Sequence, residues 1–273
     1  MIIDFHTHIF PDKIAKPTVE KLKSYLCDAG EECAAYTDGT LTSLLSSMEE
    51  AGVDKSVILP VVTNPKQFES INRFAAELKD TDGIISFGGI HPDNENVEEK
   101  LDFIKSMGLK GIKLHPDYQN TYVNDEKYIR IIRYAEKIGL ITVIHAGYDV
   151  LSPDDIHCTP DMALDMLSKV SDGKETKIVL AHLGGLRAGK ECLEKLAGKN
   201  IYLDVSYVLN KTEPDLLIEI FEKHGYDKIL FASDSPWGDQ KTFRETLDNL
   251  DISKENKNKI FCENALHLLA LNL

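Results

Sequence analysis

The chain is short of several things, and each shortage excludes a class of protein. It has no apolar run near the roughly 18 residues that a membrane-spanning helix needs, so no such span is expected. Its opening, MIIDFHTH, has no basic region followed by an apolar stretch, so no signal peptide is expected and the implied location is cytoplasmic. Cysteine is scarce and unpatterned: Cys27, Cys33, Cys158, Cys192 and Cys262 are odd in number, scattered and without a C-x-x-C pair. They read as reduced thiols in a chain that needs no disulfide. Positive charge is also short, with 31 Lys and Arg against 45 Asp and Glu and a formal charge of −14. Such a surface repels phosphate backbones and argues against a nucleic-acid partner. Ten Pro and 17 Gly are too few for a low-complexity tract. What remains is 273 residues, 42% hydrophobic and 28% charged, the balance of an ordinary soluble globular protein.

Eight apolar, β-branched runs recur, each bounded by Gly, Pro, Asn or Asp. They are 2-8 (IIDFHTH), 55-62 (KSVILPVV), 84-90 (IISFGGI), 110-115 (KGIKLH), 140-146 (LITVIHA), 177-183 (KIVLAHL), 201-206 (IYLDVS) and 228-234 (KILFASD). Helical spacing fills the intervals. Leu41, Leu44, Leu45 and Met48 fall at i, i+3, i+4 and i+7 behind Thr40 as N-cap. Ile129, Ile132, Ala135 and Ile138 form a stripe that stops at Gly139. Similar stripes occupy 66-79, 94-107, 161-171, 213-224 and 257-271, with a weaker one over 186-198.

Strands alternating with helices imply parallel pairing through right-handed crossovers. After the first, strand starts are 24 to 37 residues apart, about one βα unit each. The predicted fold is an α/β (β/α)8 (TIM) barrel, one domain over residues 1-273. A doubly wound open sheet is the alternative, disfavoured by eight full units. The first interval exceeds fifty residues and carries a polar, Gly- and Cys-containing stretch near 27-39. It reads as an elaborated first βα loop over the mouth of the barrel.

The nine histidines are not spread evenly. His6, His8, His91, His115, His145 and His182 all fall at or beside strand C-terminal ends, where chance would put fewer than one, and Asp234 ends the last strand. In a barrel those ends converge on the face that carries catalytic groups. His6 and His8, two apart on a strand, point to one side and can both reach one ion. His145 and His182 each close a strongly apolar run, where a satisfied core histidine is the ordinary fate of either alone. Two of them opposite H-x-H favour a metal site. Asp234 has three readings: helix N-cap, metal ligand or general base. Its place favours a ligand that doubles as a base.

The motifs DFHTH, VIHAG, AHLGG and SDSPW, in that order on the first, fifth, sixth and eighth strands, resemble those of the amidohydrolase superfamily. GIKLHP and the terminal IFCENALHLL are similar to the branch that contains aminocarboxymuconate-semialdehyde decarboxylase and many TIM-barrel metal-dependent hydrolases. The resemblance covers nearly the whole chain. It implies that His6, His8, His145 and Asp234 hold a divalent metal. It also implies that His182 is a catalytic or supporting histidine, unless a second ion recruits it. A His3Asp set suits zinc best, one ion per chain, and also accommodates manganese, iron or cobalt.

A metal so held brings the pKa of its water towards neutrality. Asp234 would then take the proton from the attacking water and pass it to the leaving group, while His182 stabilises the developing negative charge. That is hydrolysis of a small-molecule amide, ester or lactone, the reading adopted on breadth of precedent. The same residues support a non-oxidative decarboxylation, the alternative. A metal-dependent deoxyribonuclease is disfavoured by the acidic charge and by KLHP standing where a Glu is expected; a non-catalytic metal-binding barrel leaves the acid–base group without a use.

His91, His115 and Lys113 remain as substrate-binding groups or ligands of a second metal, with structural roles as the bland reading. Lys113 shares the parity of His115 and is expected to point inward, where a buried ion-paired Lys is as plausible as a bridging one. Asp4 shares the parity of His6 and His8, which makes it either an acceptor orienting one of them or part of a polar layer inside the barrel. Tyr207 and Trp237 follow strand ends and could line a pocket, although aromatic packing is the commoner fate; Arg187 is as readily a surface residue as a grip for a substrate carboxylate; and His157, Cys158, His224 and His267 read as structural. The partner expected is a small-molecule substrate, and a homo-oligomer is compatible with the composition.

Overall fold

In a computed structural model of the chain, which describes residues 1–170 and 176–271, nine parallel strand segments follow one another around a ring. They are β1 (Ile3–Thr7), β2 (Lys55–Ile58), β3 (Ile84–Ser86), β4 (Gly88–Gly89), β5 (Gly111–Leu114), β6 (Ile141–Ile144), β7 (Ile178–Leu180), β8 (Tyr202–Asp204) and β9 (Ile229–Leu230). The third predicted run is interrupted at Phe87, so that β3 pairs with β2 and β4 with β5. Single bonds bridge the break: Phe87 N donates to Ile58 O at 3.1 Å and Lys110 N to Ser86 O at 3.2 Å. The other seam is joined by Phe5 N to Phe231 O (2.9 Å), Asp234 N to His6 O (2.9 Å) and His8 N to Ser235 O (2.7 Å). The eight expected units are therefore present in sequence order, and the fold is the TIM barrel.

Alternation sorts the strand side chains into two cores. Ile3, Phe5, Val57, Leu59, Ile85, Phe87, Ile141, Val143, Val179, Tyr202, Leu230 and Ala232 fill the interior, joined by Ala265, Leu266, Leu268 and Leu269 of the last helix. Their neighbours, such as Ile58, Ile112, Leu114, Ile144, Leu180 and Phe231, face the helices. Gly111 makes room inside: a Cβ there would lie 2.5 Å from the Phe87 ring.

The outer helices are α2 (Leu41–Ala51), α3 (Phe68–Leu78), α4 (Val97–Ser106), α5 (Glu126–Ile138), α6 (Pro160–Val170) and α8 (Pro214–His224). The Thr40 hydroxyl caps α2 by accepting from Ser43 N, and Gly139 ends α5 in the left-handed region. The weak stripe over 186-198 becomes a helical turn, α7 (Gly189–Glu191), continued by a π turn over Cys192–Leu196. The terminal stripe over 257-271 is divided between α10 (Lys254–Asn258), a π turn and α11 (Asn264–Leu269). Residue 171, the end of one predicted stripe, lies outside the described residues. Among the described residues no helix is long and apolar enough to cross a membrane.

Two helices were not expected. α9 (Gln240–Asn249) starts behind Asp239, whose side chain accepts from Thr242 N. α1 (Asp12–Asp28) occupies most of the first βα excursion despite Pro17 in its interior, and buries only Ala15 and Val19. Two readings need correction. Cys27 and Cys33 are joined by a disulfide across six positions, their Cα atoms 4.7 Å apart, rather than being free thiols. The turn that ends α1 brings them together, which spacing alone does not show. Asp4 does not share the orientation of His6 and His8, because the β1–β2 register shifts between Asp4 and Thr7. Phe5 thus points inward, while Asp4 accepts from Ser233 N (3.0 Å), Ser233 Oγ (2.5 Å) and Gln240 Nε2 (2.8 Å) and ties β1 to α9.

Candidate metal centre and active-site cavity

The strand ends open into a cavity of about 1570 Å³. Its floor contains His6, His8, Lys113, His115, His145, His182 and Asp234. Parity explains the convergence. Lys113 and His115 alternate with outward Ile112 and Leu114, His145 follows inward Val143, and Asp234 follows inward Ala232. The β1 bulge turns His6 and His8 into the same space. His182 and Asp234 also rely on backbone in the left-handed region, φ 57° and 70°, as do Arg187 and Tyr207 at the rim. Non-glycine residues rarely hold such angles, and where they do the surrounding structure enforces them.

His6, His8 and Asp234 form the tightest group. Their ring and carboxylate atoms lie within a few ångströms: His6 Nε2 to His8 Nε2 3.2 Å, His8 Nε2 to Asp234 Oδ1 3.2 Å, His6 Nε2 to Asp234 Oδ1 3.5 Å. The far nitrogens decide what these atoms are. His6 Nδ1 donates to Asp204 Oδ2 at 3.0 Å, and His8 Nδ1 donates to the Leu59 carbonyl at 2.7 Å. Both Nε2 atoms therefore present lone pairs to each other and to a carboxylate. Three acceptors around one point are complementary to a cation, and the set of two imidazoles and a carboxylate suits a divalent transition metal. Among the described residues the buried ammonium of Lys113, 3.0 Å from His6 Nε2, faces the same lone pair.

His145, expected in the same ligand set, reaches this group through His182. His182 Nδ1 donates to Ser206 O at 2.8 Å, leaving Nε2 to face His145 Nδ1 at 3.0 Å, and the His182 ring stacks on His6. The other edge of His145 opens on a second group with His115 and Asp149, whose candidate ligand atoms lie within 4.8 Å of one another. His145 Nε2 and Asp117 Oδ2, 3.9 Å apart, are buried there without a hydrogen-bond partner. The His115 and His145 rings stack nearly parallel, 4.1 Å between centroids, so their edges lie side by side rather than converging. His91 takes no part in the cavity lining; its Nδ1 accepts from Asp93 N at 3.1 Å within its own turn. Arg187, Tyr207 and Trp237 line the cavity wall. His157 and Cys158 are buried, His157 against Asp117, and His224 caps the end of α8 with a bond to Ile201 O.

Sequence reasoning missed Asp204 and Ser206. They share the inward parity of Tyr202 at the end of the seventh run, a signal that was present but diluted among 45 acidic residues. Asp204 anchors His6, and Ser206 Oγ lies 3.1 Å from His6 Nδ1 and 3.0 Å from His182 Nδ1. Asp117 and Asp149 lie in loops beyond strand ends and carried no signal.

Burial and charge tune these groups. Burial lowers His6 to about 4, helped by the Lys113 charge, and lowers Lys113 to about 8. Burial also pushes His115 and His145 well below the ordinary histidine value and raises Asp149 to about 7. For Asp204 and Asp234 burial acts upward, but the neighbouring histidines outweigh it and hold both carboxyls below their ordinary value. Burial thus favours the neutral imidazole at His6, His115 and His145, and Asp204 and Asp234 favour the ionised carboxylate, the state in which nitrogen and oxygen bind metal.

Residues 3–271 match a protein family described as Amidohydrolase. A search of curated protein sequences finds no match. Among solved structures, 5-carboxyvanillate decarboxylase from Sphingomonas paucimobilis superposes with a TM-score of 0.73 at 15% identity, covering 100% of this chain and 99% of that one. A dihydroxybenzoic acid decarboxylase from Polaromonas, with bound manganese and the inhibitor 2-nitroresorcinol, gives 0.71 at 15% identity over 100% and 97%. An uncharacterized TIM-barrel protein from Bordetella bronchiseptica gives 0.77 at 19% identity over 98% of each chain. At these identities the likeness establishes the fold.

Proposed function

The chain belongs to the amidohydrolase family, and from that premise we propose that it is a metal-dependent decarboxylase of a small planar carboxylic acid. The observation that carries the reading is the contrast within one cavity. Its floor is a cluster of imidazoles and carboxylates, and between that floor and a charged rim its walls are largely apolar and aromatic, with Phe10, Tyr25, Phe74, Tyr118, Tyr148 and Trp237 among them. Apolar walls disfavour a localised carboxylate relative to the charge-dispersed transition state that leads to neutral carbon dioxide. Two of the superposing structures are decarboxylases of ring acids, which supports the same direction.

His6, His8 and Asp234 would hold the metal, zinc or manganese, with His145 as the fourth ligand expected from the resemblance. Such an ion supplies Lewis acidity towards a substrate oxygen and acidifies water. In the reaction the bond from ring carbon to carboxylate breaks, the electron pair stays on the carbon, and a proton completes the product. Asp234, an ionised carboxylate at the centre, would take a proton from water and deliver it to that carbon, leaving hydroxide beside the released carbon dioxide. His182, fixed at Nδ1 by Ser206 O, would accept from the substrate at Nε2 in exchange for its bond with His145 Nδ1, and Asp204 keeps His6 in the ligating tautomer. The tyrosines and Phe10 would sandwich the planar body.

The test is to reconstitute the protein with zinc or manganese, supply hydroxybenzoic acids in D2O, and follow carbon dioxide and deuterium at the vacated carbon. Both signals, abolished together in Asp234→Asn, are expected. Hydrolysis of lactones or esters with no carbon dioxide from any acid would instead establish the hydrolytic reading, for which Asp234 beside His8 is equally placed.

A further inference from the structure

The rim of the cavity contains a second arrangement that the floor chemistry does not use. The Arg187 guanidinium carbon lies over the Tyr148 ring, 3.6 Å from its centroid, and Lys211 Nζ sits 3.7 Å from the centroid of the Tyr207 ring. Both cations converge on a single carboxylate: Arg187 pairs with Glu31 Oε1, and Lys211 Nζ lies 3.8 Å from Glu31 Oε2. Tyr207 is only 8% exposed, and its hydroxyl has no hydrogen-bond partner. All five residues line the same cavity as the histidines.

The backbone is committed to this arrangement. Arg187 and Tyr207 both hold positive φ, 67° and 60°. The segment before Arg187 is laid against the end of β6 by Leu186 N to Ala146 O (2.9 Å) and Tyr148 N to Leu186 O (3.1 Å). Only a glycine permits that approach, since a Cβ on Gly147 would meet Leu186 N at 2.0 Å. Strain and close approach of this kind gather at sites that must hold a defined geometry. Glu31 arrives from the other side, on the short loop closed by Cys27 and Cys33.

We propose that Arg187, Lys211 and the Tyr207 hydroxyl form a subsite for a carboxylate remote from the reacting group, which Glu31 occupies until a substrate displaces it. Stacking on aromatic faces leaves the N–H edges of both cations free for an oxygen acceptor. Glu31 supplies that acceptor but leaves the Tyr207 donor unsatisfied, so a ligand carboxylate reaching the hydroxyl has a pairing that Glu31 lacks. The substrate class is therefore a planar acid with a second carboxylate. This deepens the proposed function, on which it rests for the orientation of the first carboxylate.

The probes are benzoate and isophthalate, titrated calorimetrically into metal-loaded protein. Isophthalate is expected to bind roughly tenfold tighter or more, as charge-assisted pairing implies. Arg187→Gln and Lys211→Met should each reduce isophthalate towards the affinity of benzoate. Glu31→Gln should tighten isophthalate severalfold, because it removes the resident competitor, a change that a purely structural ion pair would not give. Should Arg187→Gln fail to fold, the Lys211 and Glu31 variants carry the same contrast. Equal affinity for the two acids in the unmodified protein, or weaker isophthalate binding in Glu31→Gln, overturns the subsite. Binding needs no turnover, so the two proposals separate. An Arg187-dependent preference without carbon dioxide release leaves the subsite and removes the reaction; release without any such preference does the reverse.

Discussion

The floor and the rim of the cavity are built on different principles. Floor residues hang from barrel strands, so their positions follow from pleat parity and from a ladder shared with both neighbours. Three of the five floor histidines have one nitrogen pinned by an oxygen acceptor, His6 by Asp204, His8 by Leu59 O and His182 by Ser206 O. The rim is assembled from loops and α1, and its order comes from side-chain pairs, one disulfide and the backbone bonds of Leu186 to Ala146 and Tyr148. On the proposed reading the floor carries the chemistry and the rim the selectivity, and variants in each region test whether the two separate.

The largest effect should come from removing floor nitrogens. His6→Ala with His8→Ala is expected to abolish bound metal, close to one equivalent per chain by elemental analysis, and to lower turnover on the order of a thousandfold or more. Retained stoichiometric metal in that variant would move the centre to the His115, His145 and Asp149 group. Next comes the support of the floor. Asp204→Asn should weaken metal affinity about 10–100-fold, measured by chelator competition, because the amide no longer selects the His6 tautomer as a carboxylate does. An unchanged affinity would show that Ser206 Oγ suffices.

A rim change should read out differently. Cys33→Ser opens the loop that carries Glu31, and KM for an acid substrate is expected to shift a few-fold while kcat and metal content hold. A loss of metal would show that rim and floor are coupled. The smallest effect serves as a control outside both regions. His224, buried at the end of α8, is lowered by burial to about 4. Between about 4 and the ordinary 6.5 the unfolded chain binds a proton that the folded chain does not, so stability falls as pH drops through that window. His224→Gln should flatten this acid arm in melting curves and leave metal and turnover alone.

Much of this architecture was legible in order of residues. The eight runs could be read because turn-forming residues punctuate β-branched stretches, and six strand-end groups could be read because histidine is rare enough to be conspicuous. His91 shows the limit of that signal, since it also follows a strand yet closes its own turn. Aspartate is too common to stand out, which hid Asp204, Asp117 and Asp149. α1 escaped because Pro17 interrupts its amide ladder and only Ala15 and Val19 are buried, too few for a stripe. Asp4 was misread for a different reason: alternation holds only while register holds, and one bulge reverses it.

Residue order was enough for the barrel and the family, and for seeing which strand ends carry histidine or Asp234, because local periodicity and strand-end position are properties of neighbouring residues. Tertiary structure alone decided which nitrogen of each histidine faces the centre and that Cys27 meets Cys33. It also decided that Glu31 crosses the mouth to Arg187 and Lys211. Those outcomes depend on contacts between residues far apart in the chain, and on hydrogen-bond partners whose geometry exists only once the ring has closed.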